Sequence, residues 1–317
     1  MNPVIKKIAL TGATGAIGMA LIERCISENV EVIVFVRADS ARRSRIPDNE
    51  YVTVVACGLD EMRDIEVTAK MQGCEVFYHF AWEGTSGAAR NDMYMQNRNV
   101  EHTLDAVHLA AKMGCKVFVG AGSQAEYGRV EGVLTPDTPC YPETGYGIAK
   151  HCAGRMSAYE CMNNDMAHVW ARILSVYGPY DNERSMIISV IRKLLAGESP
   201  SLTAGEQIWD YLYSADAADM LYELGSNALA DKDDPKVSRI YCIGSGRAMP
   251  LRQYIEMMRD EIDSGISLGF GDIPYGDRQV MRLEADISDV VRDTGYTPRT
   301  GFAEGIRETI KWCRDDR

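Results

Sequence analysis

The sequence has no apolar run approaching the ~18 residues a membrane-spanning helix needs. Its opening, MNPVIKKIAL, enters a strand-like segment at once and lacks the apolar core of a signal peptide. Positive charge is also scarce: 34 Lys and Arg stand against 46 Asp and Glu, a net charge of −12. The densest basic cluster, Arg42, Arg43 and Arg45, is too small for a nucleic-acid face, although a local pocket can still take a phosphate. Nine cysteines lie singly with no C-x-x-C pair, and five histidines show no metal-ligand spacing. A disulfide frame and a zinc site are therefore not expected. These absences predict a cytoplasmic protein with reduced thiols and without nucleic-acid, membrane or metal partners.

What is present is an alternation of short β-branched runs with helical stretches, the pattern of a parallel sheet covered on both faces. Strands are expected at Val4–Leu10, Glu31–Val36, Tyr51–Ala56, Glu75–Ala81, Lys116–Gly120 and Ala167–Ile173. Helices are expected at Gly15–Glu28, where Ile17, Leu21 and Cys25 share a face, and at Val100–Met113, which Gly114 ends. The fold class is α/β: a Rossmann-like doubly wound sheet in residues 1–175, with a smaller, mainly substrate-binding lobe in 176–317, some segments of which return to the sheet. Residues 232–236 (KDDPK) read as an exposed loop.

The first strand runs into TGATGAIG, Thr11 to Gly18. Gly12 permits a tight turn, Gly15 lets a pyrophosphate approach the backbone, and Gly18 lets helix and strand pack closely. The pattern is weak alone and strong between a strand and an amphipathic helix. The second strand then ends in Phe35-Val36-Arg37, with a guanidinium where an acid would meet the ribose of NAD. Arginine pairs with a 2′-phosphate, which favours NADP(H). NAD(H) stays open if Arg42 and Arg43 only begin a solvated helix and Asp39 takes the ribose.

Tyr146-Gly-Ile-Ala-Lys150 is a Tyr-x-x-x-Lys, with both side chains on one helix face. An ammonium beside a phenol favours the phenolate and makes it a usable acid or base. Such a pair is usually only a helix face; its weight comes from Ser123 in VFVGAGSQAEYG, at a fifth strand's C-terminal end.

Together with SVYGP (Ser175–Pro179), these motifs resemble the extended short-chain dehydrogenase/reductases, and within them the NAD-dependent epimerase/dehydratase branch that acts largely on nucleotide sugars. YCIGSG (Tyr241–Gly246), LEADISDV (Leu283–Val290) and GYTPRTGFAEGIRETIKW (Gly295–Trp312) extend the resemblance along the chain. It implies Tyr146 as general acid/base, Lys150 as its activator and ribose ligand, and Ser123 as donor to the reacting carbonyl. Asn99 would support a proton relay, or is an ordinary helix-start cap. Cofactor contacts would come from Gly12, Thr14, Gly15, Ala16, Ile17, Gly18, Arg37, Leu59, Asp60, Phe80, Ala81, Tyr146, Lys150 and Ser175. Substrate contacts would come from Trp82, Ser123, Gln124, Arg184 and Arg278, with Trp82 either stacking on a sugar or base or packing the lobes. A homodimer through the helices containing Val100–Met113 and Tyr146–Glu160 is also implied.

The chain departs from the family at Ser175 (commonly Asn), at Trp209 (usually Arg), at Gly58 (often an acid) and at Gly276 (an Arg), leaving Arg184 and Arg278 for diphosphate. Family dehydratases carry an Asp-Glu pair where Gln124 and Ala125 stand, and Glu126 is one residue late. The combined 3,5-epimerase/reductases need a cysteine where Ala125 stands and a histidine absent from YGPYDNERSMII. The expectation is an NADPH-dependent ketoreductase of an NDP-4-keto-6-deoxyhexose. The alternatives are an NDP-sugar 4-epimerase with bound NAD+, a reductase of a non-sugar carbonyl, and a non-catalytic binding protein.

Overall fold

The computed structural model describes residues 5–231, 237–277 and 279–315. The KDDPK loop and Arg278 therefore lie outside the described residues. Strands β1 (Lys7–Thr11), β2 (Glu31–Val36), β3 (Val52–Ala56), β4 (Val76–His79), β5 (Val117–Ser123) and β6 (Ala167–Ile173) fall close to their expected places. Strand β5 extends to Ser123 itself, three residues beyond the expected end. Short strands β7 (Ser175–Tyr177), β8 (Ser201–Leu202), β9 (Ile208–Trp209) and β10 (Tyr211–Tyr213) follow, then β11 (Ser238–Ile243). The last returns to the main sheet, whose order is β11-β6-β5-β4-β1-β2-β3.

Every pairing in that sheet is parallel. Both faces are covered, which is why EVIVFV in β2 is an apolar run with no alternation. Helices α1 (Ala16–Ser27) and α5 (Ser214–Ala230) pack one face, while α2 (Met93–Met113) and α3 (Gly145–Asn163) pack the other. The fold is thus a doubly wound, Rossmann-like α/β sheet. Strands β1 and β4 are neighbours, and the chain winds away from them on both sides, so their C-terminal ends form the crevice where such sheets take ligands.

On the α2/α3 face, Phe35, Phe77, Phe118, His168 and Trp170 form a row with adjacent ring centroids 5.8–6.2 Å apart. Trp170 is seated among three glycines: a Cβ added to Gly120, Gly122 or Gly154 would stand 2.4, 2.5 or 2.6 Å from its ring atoms.

The smaller lobe is built from α4 (Met186–Leu195), α6 (Leu251–Ile262) and α8 (Phe302–Asp315), which share an apolar core; the short α7 (Ser288–Thr294) packs on α5. Asp210, fully buried, ties distant segments of this half together. Its carboxylate accepts from the N–H groups of Ser245, Gly246 and Ala285 and from the Ser245 hydroxyl. The motif stretches YCIGSG and LEADISDV therefore converge on one side chain.

Candidate active site

At the end of β1, Gly12 has φ +73°, and a Cβ there would lie 2.7 Å from Ala81 N and from the Phe80 carbonyl carbon. At Gly18 a Cβ would lie 2.4 Å from Gly12 O. Both are glycine because the protein's own backbone leaves no room. Gly15 differs: the nearest atom to a Cβ there would be 3.8 Å away, so the protein itself leaves room at this position. Gly15 is the N-cap of α1 and offers no side-chain bond, and the first turn carries no acid. Free helix N–H groups are thus presented to an anion. Gly12, Gly15, Ala16, Ile17, Gly18 and Phe80 line a cleft of about 280 Å³, and on these residues the site fits a dinucleotide.

Thr11 Oγ1 accepts from the N–H groups of Phe80 and Ala81, each at 3.2 Å, which fastens the end of β4 to that of β1. Its own proton is left for His79 Nδ1 at 3.0 Å. Burial, then the charges of Lys150 and His102, push the His79 pKa down to about 3, so the ring is neutral.

The opposite wall of the cleft includes Ser123, Tyr146 and Lys150. Ser123 Oγ caps the turn that follows β5, accepting from Ala125 N at 3.2 Å. Glu126 closes that cap by accepting from Ser123 N at 2.8 Å. Its carboxylate also accepts from Trp170 Nε1 at 2.9 Å and Arg172 Nε at 3.0 Å, so it faces the core and not the cleft. Burial would raise its pKa, but His151, Arg172, the Ser123 N–H and Trp170 outweigh that and hold it below the usual value.

Helix α3 starts beside this turn, capped by Thr144, and a Cβ on Gly147 would lie 2.3 Å from Ala125 O. Lys150 Nζ donates to Ala121 O at 2.6 Å and rests 3.7 Å from the Trp82 ring centroid, against 5.9 Å for Tyr146. Burial lowers the Lys150 pKa to about 7, with Glu126 acting the other way. Burial likewise raises that of Tyr146, opposed by a hydrogen bond with Ser123 and the charge of Arg90. Lys150, 5.9 Å from the ring centroid, is not among the groups that oppose that rise.

Trp82 lines the cleft and meets the Tyr146 ring edge-on at 6.0 Å. The loop that carries it hangs on two buried side chains of α2. Gln96 accepts from Trp82 Nε1 at 2.9 Å and donates to the carbonyls of Gly84 and Ala89. Asn99 grips both backbone groups of Glu83, each at 2.9 Å. Helix α2 begins at Met93 with Asp92 as its cap, so the helix-start reading of Asn99 is corrected. Its amide oxygen and nitrogen both hold the loop.

After the end of β2, Arg37 is 64% exposed and 3.9 Å from Asp39. Leu59 and Asp60 lie on a single turn after β3, and a Cβ on Gly58 would meet Asp60 and the Arg37 stem. Arg45 was missed by sequence reasoning: it donates to Thr14 O at 3.4 Å and lies 5.6 Å from the Tyr180 ring centroid, over the glycine turn. Its cluster was visible in the sequence, but the fold back over the turn was not. Asp181 also lines the cleft, its pKa raised by burial against bonds from Ser185 and Asn182.

Other expected contacts stand elsewhere. Leu174 and Val176 line the cleft, whereas Ser175 between them bonds Trp209 at 2.8 Å. Gln124 is half-buried beside the Ser123 turn, and Arg184 is exposed on the loop after β7; neither borders the cleft. Among the described residues no group of His, Cys, Asp and Glu is gathered as for a metal ion, and no helix is long and apolar enough to cross a membrane.

The model of the NAD dependent epimerase/dehydratase family matches residues 8–244. A putative UDP-glucose 4-epimerase of Methanocaldococcus jannaschii is 24% identical, over 98% of this chain and 99% of that protein. CDP-abequose synthase of Salmonella typhimurium is 23% identical, over 96% and 97%. The structure of MoeE5 in complex with UDP-glucuronic acid and NAD superposes with a TM-score of 0.83 at 22% identity, covering 98% of this chain and 100% of that one.

Proposed function

Since the chain belongs to the NAD dependent epimerase/dehydratase family, we propose that it is an NADPH-dependent ketoreductase of a nucleotide-activated sugar, turning an NDP-4-keto-6-deoxyhexose into the NDP-6-deoxyhexose. The observation that carries this reading is the meeting of Ser123, Tyr146, Lys150 and the glycine turn in one cleft. A relative named for making a CDP-linked sugar and a neighbour bound to a UDP-sugar and NAD support the substrate class. Residues 1–175 would mainly hold cofactor and 176–317 mainly substrate.

The glycine turn and Lys150 would hold a reduced nicotinamide cofactor, whose chemistry would be hydride donation to a carbonyl carbon. Ser123, whose oxygen already accepts from Ala125 N, donates its proton toward the carbonyl oxygen. Tyr146 delivers the proton that makes the alcohol, and Lys150 would hold the ribose and steady the phenolate left behind. The free N–H groups of α1 would take the pyrophosphate, and Arg37 would take the 2′-phosphate. With Gln124 and Ala125 beside Ser123 and Glu126 turned into the core, the acid pair a dehydratase uses is missing. A row of exposed apolar side chains on α3, Ile148, Met156, Tyr159 and Met162, supports a homodimer.

A second reading, a 4-epimerase with retained NAD+, is favoured by Asp39 and Asp60, which flank Arg37 and could take the ribose hydroxyls. The test is to mix purified protein with NADPH and an NDP-4-keto-6-deoxyhexose. Consumption of one NADPH per ketone supports the reductase. Retention of NAD+ through gel filtration, with interconversion of 4-epimeric NDP-sugars and no NADPH consumed, replaces it with the epimerase.

A further inference from the structure

The turn at residues 87–91 is pressed against the start of α3. A Cβ on Gly145 would lie 2.9 Å from Met93 Sδ and 3.1 Å from Arg90 O, so only glycine admits the turn. Asn91 Oδ1 accepts from Gly145 N at 3.0 Å, which fixes the register of the turn against the residue before Tyr146. Gln96, holding Ala89 O at 2.9 Å, fixes it from the other side. The outcome is that the Arg90 guanidinium carbon lies over the Tyr146 ring, 4.4 Å from its centroid. Among the described residues its one hydrogen bond is to Thr85 O, at 2.9 Å, on the loop that lines the cleft.

The geometry points to Arg90 as a second cation for the Tyr146 phenolate, a positioning residue that lies over the face of the ring and favours the deprotonated form. The inference rests on the reading of Tyr146 as the acid/base. A phenolate spreads its charge into the ring, so a guanidinium over the face stabilises it more than the neutral phenol. Lys150 is the other cation, yet its Nζ is farther from the ring and is bonded to Ala121 O. Of the other groups around Tyr146, the Ser123 hydroxyl bonds the phenol, Glu126 acts on it from the core through its charge alone, and Asp181 lines the same cleft. Of these, the Ser123 bond works with Arg90, and Glu126 and burial work against it.

The test is an ultraviolet difference titration of the ligand-free protein, each form read against its own Tyr146→Phe counterpart, for wild type, Arg90→Gln and Arg90→Lys. Arg90→Gln should move the Tyr146 titration upward by about half to one and a half pH units, and Arg90→Lys by less. The rising limb of alcohol oxidation against pH should move by the same amount, with its plateau kept. A titration unmoved in Arg90→Gln, with near-ultraviolet circular dichroism intact, overturns the inference and leaves Arg90 a strut. Should Tyr146→Phe keep its turnover, the acid/base reading fails instead, while the titration still reports on Arg90.

Discussion

Ser175 Oγ accepts a hydrogen bond from Trp209 Nε1 at 2.8 Å, so two positions where this chain departs from its family's motifs hold each other. The bond joins β7 to β9, just behind the cleft residues Leu174 and Val176. Ser175→Ala would strand the indole N–H and should cost about 1–3 kcal/mol, less to the extent that water reaches it. Trp209→Phe should cost about 1 kcal/mol for the bond alone. The double variant should be less destabilised than the sum by at least about 0.5 kcal/mol in urea unfolding. Strict additivity would mean that the pair carries no energy.

Tyr146→Phe should fold normally and bind cofactor, because one hydroxyl is lost, yet turnover should fall by roughly 10²–10⁴. Activity within a few-fold of wild type would remove Tyr146 from the chemistry. Lys150→Ala should lower turnover similarly and also weaken cofactor binding, which fluorescence titration of the reduced cofactor reads separately.

Arg37 is exposed at the end of β2 and tied only loosely to Asp39. A charge-assisted bond to a 2′-phosphate is worth about 1.5–3 kcal/mol, roughly 10- to 150-fold in affinity. Wild type should bind NADPH at least about tenfold better than NADH, and Arg37→Ala should erase most of the difference while leaving NADH nearly unchanged. Equal affinities in wild type would favour Asp39 or Asp60 as the ribose ligand and hence NAD.

His79 and His168 are fully buried, and burial pushes both pKa values down to about 3. Between the unfolded value, about 6.5, and about 3, the unfolded chain binds protons there that the folded protein does not. Stability therefore falls as pH drops through this window, by up to about 1.4 kcal/mol per pH unit for each ring. Urea midpoints measured from pH 7 to 4 should decline steeply, and less steeply in His168→Gln. A flat profile would mean that one or both rings accept a proton in place.

Local sequence determined the strands, the glycine turn and the Tyr-x-x-x-Lys helix face, because each rests on a short-range rule: apolar runs for strands buried on both faces, glycine where no Cβ fits, and i,i+4 spacing on a helix. The start of α2 was set seven residues too late, since the stretch 93–99 buries the polar Gln96 and Asn99 and exposes Met93 and Tyr94, so no apolar face marks its first turns. Tertiary structure alone decided which side chains surround the phenol. Arg90 reaches Tyr146 from 56 positions away because Gly145 admits the 87–91 turn, and Arg45 folds back over Thr14 from the far side of β2. Glu126 faces the core because Trp170 and Arg172 of β6 meet it there. Burial then sets the pKa values of Tyr146 and Lys150, and burial belongs to the packed molecule, since it depends on what neighbouring elements exclude.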